Sequence, residues 1–427
     1  MDKILVQNGR GLSGEKFDIL INNGKIEKIS DSITDESEID IEYDAEDNLV
    51  TPTFSEPHCH LDLSLTAGKP GWNENGSLLS GINLWNQHKQ NISKKEVKEQ
   101  ARETIMWFVA NGVTRIRTHV DVTEMDLVCV DAILEIREEL SEIIELQVVA
   151  FPQDGILTDP KNLENLEKTL EMGADQVGAI PHFEYTYEDG VESVKIAMDL
   201  AEKHDVGVDL HIDEIDDPGS RFTEVLVSET LKRDIENQVT ASHSTAMHSY
   251  PNAYANKLIS LLAKSDVTVI TNPLDNSVLQ GAHDDYPRRR GHTRVDELLD
   301  AGVTVGIGHD SVMDVVYEYG TADPLDAAYL LAHYAHMNGH DDVETLWQML
   351  TYSNAEILGK TSSEYGLSEG CEGSLIVHNA ATPFEALRTR ADRKLVVSNG
   401  TIVSKREPTK ATVTLFETES EIDFKRN

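Results

Sequence analysis

Leu49-Val50-Thr51-Pro52-Thr53-Phe54-Ser55-Glu56-Pro57-His58-Cys59-His60 is a run of β-branched and apolar residues that ends in two histidines two positions apart. Seven more such runs follow, at 115–122, 146–153, 177–182, 207–211, 239–243, 267–272 and 303–310. From the second to the seventh they return about every thirty residues, the length of one βα unit. Helical stretches fall between them at 94–111, 132–140, 162–172 and 191–204. Regular alternation of this kind predicts an α/β fold, a TIM-like (β/α)8 barrel. A doubly wound open sheet would place its site at a single switch point. Here residues with chemistry end the first, fifth, sixth and eighth runs, and only a closed ring brings those ends together.

Alternate side chains of a strand share a face, so His58 and His60 point together toward the barrel axis while Cys59 faces the helices. His211 ends the fifth run, and Asp310 ends the eighth after Gly306-Ile307-Gly308. Three nitrogens and one carboxylate suit a single divalent metal, Fe2+ or Zn2+, with a place left for water. Glu214, three residues past His211, is placed to shuttle protons. His243 would orient or deprotonate the attacking water, and Asp310 would hold it. Gln153, closing the third run, carries both donor and acceptor for a planar amide-like edge. His119 and His182 fall near strand ends, as pocket lining or as core. His248 belongs to the following loop or helix. Arg288-Arg289-Arg290 and Arg294 are expected to offset nearby acid rather than to gate an anionic ligand.

Residues 51–369 form the expected barrel. Residues 1–50 and 370–427 read as a small β-sandwich built from both termini. Its strands are expected at 3–8, 17–22 and 25–30, with a hairpin turn at Asn22-Asn23-Gly24, and at 373–378, 393–397 and 401–405 around Asn399-Gly400.

The chain has 76 acidic and 37 basic residues, a formal net charge of −39. Such a charge argues against a nucleic-acid partner. Spread along the whole chain, it suits a protein kept solvated in a high-salt cytoplasm, with stability and activity rising with salt. Cys59, Cys129 and Cys371 are odd in number and form no C-x-x-C pair, so neither a disulfide framework nor a zinc knuckle is expected. No charged leader followed by an apolar segment opens the chain, and no run approaches the ~18 apolar residues of a membrane span. A soluble cytoplasmic protein with no membrane partner is the expectation.

Two absences narrow the chemistry. His182-Phe183-Glu184 mimics the H-x-E of the zinc base deaminases of another fold, but their P-C-x-x-C is missing. Barrel hydrolases with two metals bridge them with a carbamylated lysine after the fourth strand, and residues 177–184 contain no lysine. One catalytic metal is therefore expected.

Glu56-Pro57-His58-Cys59-His60-Leu61-Asp62, Phe151-Pro152-Gln153-Asp154-Gly155-Ile156 and His211-Ile212-Asp213-Glu214-Ile215-Asp216-Asp217 resemble the bacterial cytosine deaminases of the amidohydrolase superfamily. Thr240-Ala241-Ser242-His243-Ser244-Thr245-Ala246-Met247-His248-Ser249-Tyr250 and Gly308-His309-Asp310 extend the likeness over nearly the whole chain. The resemblance implies that His58, His60, His211 and Asp310 bind iron or zinc, that Glu214 moves protons to the ring N3, and that His243 assists the water. It implies that Gln153 holds the O2 and N1 edge of a nucleobase, and that the protein is a homo-oligomer acting in pyrimidine salvage. The chain departs from the family where a second aspartate and a tryptophan are usual, having Ser311 and Val316 instead. Both are smaller, so room and a lost charge are expected beside C5, and 5-methylcytosine joins cytosine as an expected substrate. The alternatives are deamination of another amino-heterocycle, such as isoguanine or creatinine, and a metal- or ligand-binding homologue without turnover. A pure binder does not require a proton shuttle such as Glu214.

Overall fold

The computed structural model describes residues 2–34, 38–124, 126–233, 235 and 238–425. Strands β1 (Ile4–Arg10), β2 (Lys16–Asn22), β3 (Lys25–Ser30) and β4 (Ile41–Asp44) form one sheet in the order β3-β2-β1-β4. The β2–β3 turn sits where Asn22-Asn23-Gly24 predicts it. Asn23 and Gly24 both adopt positive φ, 50° and 77°, as the two-residue turns that match strand twist require.

The run at 49–60 is two strands, β5 (Val50–Pro52) and β6 (Phe54–Cys59). β6 opens the barrel, which continues through β7 (Val113–Asp121), β8 (Glu145–Phe151), β9 (Gln176–Val177), β10 (Gly207–Ile212), β11 (Val239–His243), β12 (Thr268–Thr271) and β13 (Val305–Ile307). These eight strands make one sheet in sequence order, each pair parallel. The ring closes where the Asp310 backbone N–H donates to the His58 carbonyl at 2.9 Å. The Asn354 side-chain amide clamps the same seam, donating to the Ser55 and Ile307 carbonyls at 2.8 and 2.9 Å. Every residue of β7 and β10 is buried, as expected of parallel strands covered on both faces. The (β/α)8 barrel read from the sequence is the fold observed.

The helices Lys94–Ala110, Val128–Leu140, Pro160–Glu171 and Tyr187–His204 occupy the predicted stretches. The side chains of Ser93, Asp159 and Thr186 cap three of them by accepting first-turn N–H groups. The fourth run is shorter as a strand than expected. Only Gln176–Val177 pairs, and Pro181, which has no N–H to donate to a ladder, begins a 3-10 turn at Pro181–Phe183.

β5 lies outside the barrel and pairs antiparallel with β14 (Leu375–His378), whose sheet continues through β15 (Arg393–Ser398) and β16 (Thr401–Lys405). The termini therefore make two four-stranded sheets, the small β-sandwich read from the sequence. Ile4, Val6, Ile19 and Ile21 of the first share a core with Val50, Leu375, Val377, Leu395 and Val397 of the second. β4 and an exposed hairpin of β17 (Ala411–Leu415) and β18 (Thr418–Ile422) lie outside the predicted strands. Among the described residues no helix is long and apolar enough to cross a membrane.

Candidate active site

The carboxyl ends of the barrel strands gather His58, His60, His211, His243, Glu214 and Asp310. The His60 and His211 Nε2 atoms stand 3.1 Å apart. Asp310 Oδ1 lies 3.5 Å from His60 Nε2 and 3.6 Å from His58 Nε2. Donors each ~2.1 Å from one tetrahedral ion are separated by roughly 3.4 Å, so these spacings fit a single small divalent ion. The His58 Nε2 atom is buried with no hydrogen-bond partner among the described residues, as a nitrogen reserved for a ligand would be. Burial, then the neighbouring imidazoles, holds His58, His60 and His211 well below the usual histidine range, so their rings are neutral and able to donate a lone pair. Burial, then the Asp275 and Glu214 carboxyls, pushes Asp310 well above the usual carboxylate range. A cation among these groups would relieve that repulsion.

His58 is fixed from behind. The Ser242 hydroxyl donates to Asp209 Oδ1 at 2.6 Å, so its oxygen is left to accept from His58 Nδ1–H at 3.0 Å. That assignment places the His58 proton on Nδ1 and bares Nε2 toward His60 and Asp310. Arg117 Nη1 neutralises the far oxygen of Asp209 at 3.0 Å. Both carboxylate and guanidinium are fully buried. Glu56, on the same face of β6 as His58, accepts from the His58 and His309 backbone N–H groups at 3.0 Å and is raised to about 8 by burial.

His243, ending β11, and Asp310, three residues past β13, have φ of 69° and 68°, a left-handed conformation that non-glycine residues adopt at some cost and that recurs at functional sites. Gly308 permits the close approach beneath them. A Cβ there would stand 2.3 Å from Asn272 Oδ1 and 3.0 Å from His58 Cβ. His243 Nδ1 is 3.4 Å from Glu214 Oε1, and its Nε2 is 3.8 Å from Asp310 Oδ2. The ring thus bridges the two acids. The Asn276 amide donates to Glu214 Oε1 at 3.1 Å. Burial raises Glu214 to about 8, against that hydrogen bond, a range suited to a group that must both give and take a proton near neutrality.

A cavity with ≈ 400 Å³ of empty space, part of it open to solvent, adjoins these groups. Gln153, Glu214, Ser311 and Val316 face it, with Leu78, Ile82 and Leu279 supplying apolar wall. Every residue singled out from the sequence for the site is therefore brought to one place. Beside Ser311 stand two buried carboxyls, Asp275 and Asp314, both raised by burial and both reached by the Ser311 hydroxyl.

His119 is part of the same cluster. Its ring centre is 4.1 Å from that of His58 and its Nε2 is 3.5 Å from Asp209 Oδ1. His58, His60 and His119 form one group of potential donors, and His58, His211 and His243 another. His182 has both ring nitrogens buried without a hydrogen-bond partner among the described residues, and burial lowers it to about 4. His248 lies in the short turn Thr245–Ser249. Arg289 is bound to Asp284 at 2.6 Å and Arg294 to Glu297 at 2.9 Å, the charge-offsetting role expected for both.

Sequence reasoning did not find Arg117, Asp209, Ser242, Asn272, Asp275 or Asn276. The signal for Asp209 was present, since it stands one strand period before His211. The others are polar residues whose role depends on a neighbouring strand.

The amidohydrolase family profile matches residues 86–404. The chain belongs to the amidohydrolase family. The 5-methylcytosine deaminase of Klebsiella pneumoniae, solved with 5-fluorocytosine, is 40% identical, with a TM-score of 0.90 over 94% of this chain and 98% of that one. The N-isopropylammelide isopropylaminohydrolase of Burkholderia multivorans has a TM-score of 0.82 at 29% identity, over 95% and 99% of the two chains. The N-isopropylammelide isopropyl amidohydrolase of Pseudomonas sp. (strain ADP) is 30% identical over 397 residues, 92% of this chain and 94% of the relative. The assignment as a hydrolase of C–N bonds follows from this membership.

Proposed function

We propose that the protein deaminates cytosine and 5-methylcytosine hydrolytically, giving uracil or thymine and ammonia, with one Fe2+ or Zn2+ held by His58, His60, His211 and Asp310. The observation that carries the reading is a single cavity presenting Gln153, Glu214 and the His60–His211–Asp310 donor group together, in a chain similar over nearly its full length to a 5-methylcytosine deaminase. The bound ion would lower the pKa of water to ~7 and so supply a nucleophile at neutral pH. Gln153 aligns the O2 and N1 edge of the base with its amide. His243 and Asp310 orient the water toward C4. Glu214 takes a proton from the attacking water and places it on N3 as the oxygen bonds to C4, then moves the remaining hydroxyl proton to the amine as the C4–N bond breaks and C4=O forms. Ser311 and Val316 face C5 and leave space for hydrogen or methyl.

The charge of −39 supports a high-salt cytoplasm as the setting, where products of this kind re-enter pyrimidine salvage. The test is ammonia release from cytosine and 5-methylcytosine by protein stripped of metal and reloaded with Fe2+ or Zn2+ in molar KCl, with N-isopropylammelide alongside because two similar proteins carry that name. Release from either pyrimidine supports the reading, and a Glu214→Gln variant should lose ~10²–10⁴-fold in rate while binding metal as wild type does. Turnover of N-isopropylammelide alone, or full activity in Glu214→Gln, would refute it.

A further inference from the structure

Asp275 is a carboxyl that the mechanism above does not use. It follows β12, is 1% exposed, and lines the cavity. Ser311 offers it a hydroxyl and a backbone N–H, yet among the described residues Asp275 Oδ1 has no hydrogen-bond partner. The other groups acting on it are Asp314 and Glu214, both acids, and neither lysine nor arginine lines the cavity. A buried carboxyl oxygen without a donor is costly. Its donor is therefore to be sought in what enters the cavity.

The order of strands around the rim indicates which atom that is. Gln153 follows β8, Glu214 follows β10, His243 ends β11, Asp275 follows β12, and Asp310 with Ser311 follows β13. A pyrimidine with its O2 and N1 edge at Gln153 and N3 at Glu214 presents its atoms in the same rotational order. The C4 substituent then falls between β11 and β13, and C5 comes last, toward Ser311. The remaining acceptor on that arc is Asp275.

We propose that Asp275 Oδ1 accepts a hydrogen bond from the exocyclic amino group at C4 and keeps it as the amine leaves, so that the site selects substrates whose leaving group carries an N–H. This rests on the deaminase reading and deepens it. It also gives Ser311 a second role. Its small side chain leaves room for the Asp275 carboxyl and steadies it.

The experiment compares cytosine with 4-methoxypyrimidin-2-one, which differs in releasing methanol from an oxygen without hydrogen. Wild type, Asp275→Leu and Asp275→Asn are loaded with metal and assayed for kcat/KM on both, or for the inhibition constant of the methoxy compound if it binds unreacted. Asp275→Leu should lower the preference for cytosine about tenfold to a hundredfold, the range for a hydrogen bond to a charged group. Asp275→Asn, which keeps an accepting oxygen, should restore part of it. If Asp275→Leu fails to fold, Asp275→Ser carries the same expectation. An equal loss on both compounds would assign Asp275 to packing and overturn the proposal. A wild type active on cytosine, with an unchanged preference in the variants, overturns the proposal alone. A wild type inert toward both overturns the deaminase reading with it.

Discussion

Replacing Ser242 by alanine tests whether the site is organised from behind its ligands. The hydroxyl makes two contacts, a 2.6 Å donation to Asp209 Oδ1 and a 3.0 Å acceptance from His58 Nδ1. All three residues are fully buried, so water does not readily take its place. A hydrogen bond to a buried charged group is worth ~1.5–3 kcal/mol and a neutral one ~0.5–1.5 kcal/mol. Asp209 retains Arg117 at 3.0 Å, which compensates in part, so a net loss of roughly 1–3 kcal/mol in the stability of the metal-free protein is expected.

The larger consequence is at the metal. Without the serine oxygen, nothing fixes the proton of His58 on Nδ1, and the tautomer with Nε2 protonated presents a hydrogen where an ion should bind. Removing such an outer partner typically costs ~10–100-fold in metal affinity or activity. Chelator competition against Zn2+ reads the affinity directly, and denaturant unfolding of the metal-free form reads the stability. Asp209→Asn should reproduce the affinity loss, because the hydroxyl then lacks a carboxylate to point at. Metal affinity within twofold of wild type in Ser242→Ala, together with lowered stability, would show that the serine only packs and would refute this account of His58.

Ser311→Asp adds a carboxyl beside Asp275 and Asp314, and should lower kcat/KM for 5-methylcytosine by ~1–3 kcal/mol more than for cytosine; equal losses on both bases would contradict the placement of C5. His378 is held well below 6.5 by burial, then by Arg393, so below that pH the unfolded chain takes a proton that the folded one refuses. Its contribution lowers stability by ~1.4 kcal/mol for each pH unit of acidification below 6.5, and His378→Gln should flatten the stability curve by that slope between pH 6.5 and 5. Identical slopes would refute it. The denaturation midpoint should rise from low salt to molar KCl, where the Debye length falls to ~3 Å. A flat or falling midpoint would mean that the charge of −39 is tolerated without salt.

The barrel was legible because runs rich in β-branched and apolar residues recur at the βα spacing, even though β7 carries Arg115, Arg117 and His119 and β10 carries Asp209, and because the candidate metal donors sit at or just past their ends. The breaks were less legible. Thr53 gives no sequence sign that β5 turns away to pair with β14, since a pairing more than 300 residues distant leaves no local pattern. At the fourth strand the apolar run 177–182 continues past the paired residues, where Pro181 ends the ladder for want of an N–H. The two terminal sheets show the same limit: alternation marks each strand, but whether strands lie edge to edge or face to face is decided by the core that Ile19 and Val377 share.

The candidate metal donors and Glu214 stood out because their residue types are costly to bury and so conspicuous at strand ends. The groups that tune them could not, because Ser242 and Asn276 are ordinary residues until the neighbouring strand places a carboxyl or imidazole beside them. Asp275 shows how this bears on specificity. Read alone, Ser311 suggests that a charge is missing from the pocket, whereas the structure has a carboxyl on the adjacent strand end facing the same space. Glu214, Asp275 and Asp310 all line the cavity without a lysine or arginine among them. Burial raises Glu214 to about 8 and holds Asp275 and Asp310 well above the usual carboxylate range, so these acids are poised to hold protons until a cation enters among them and favours their charged forms.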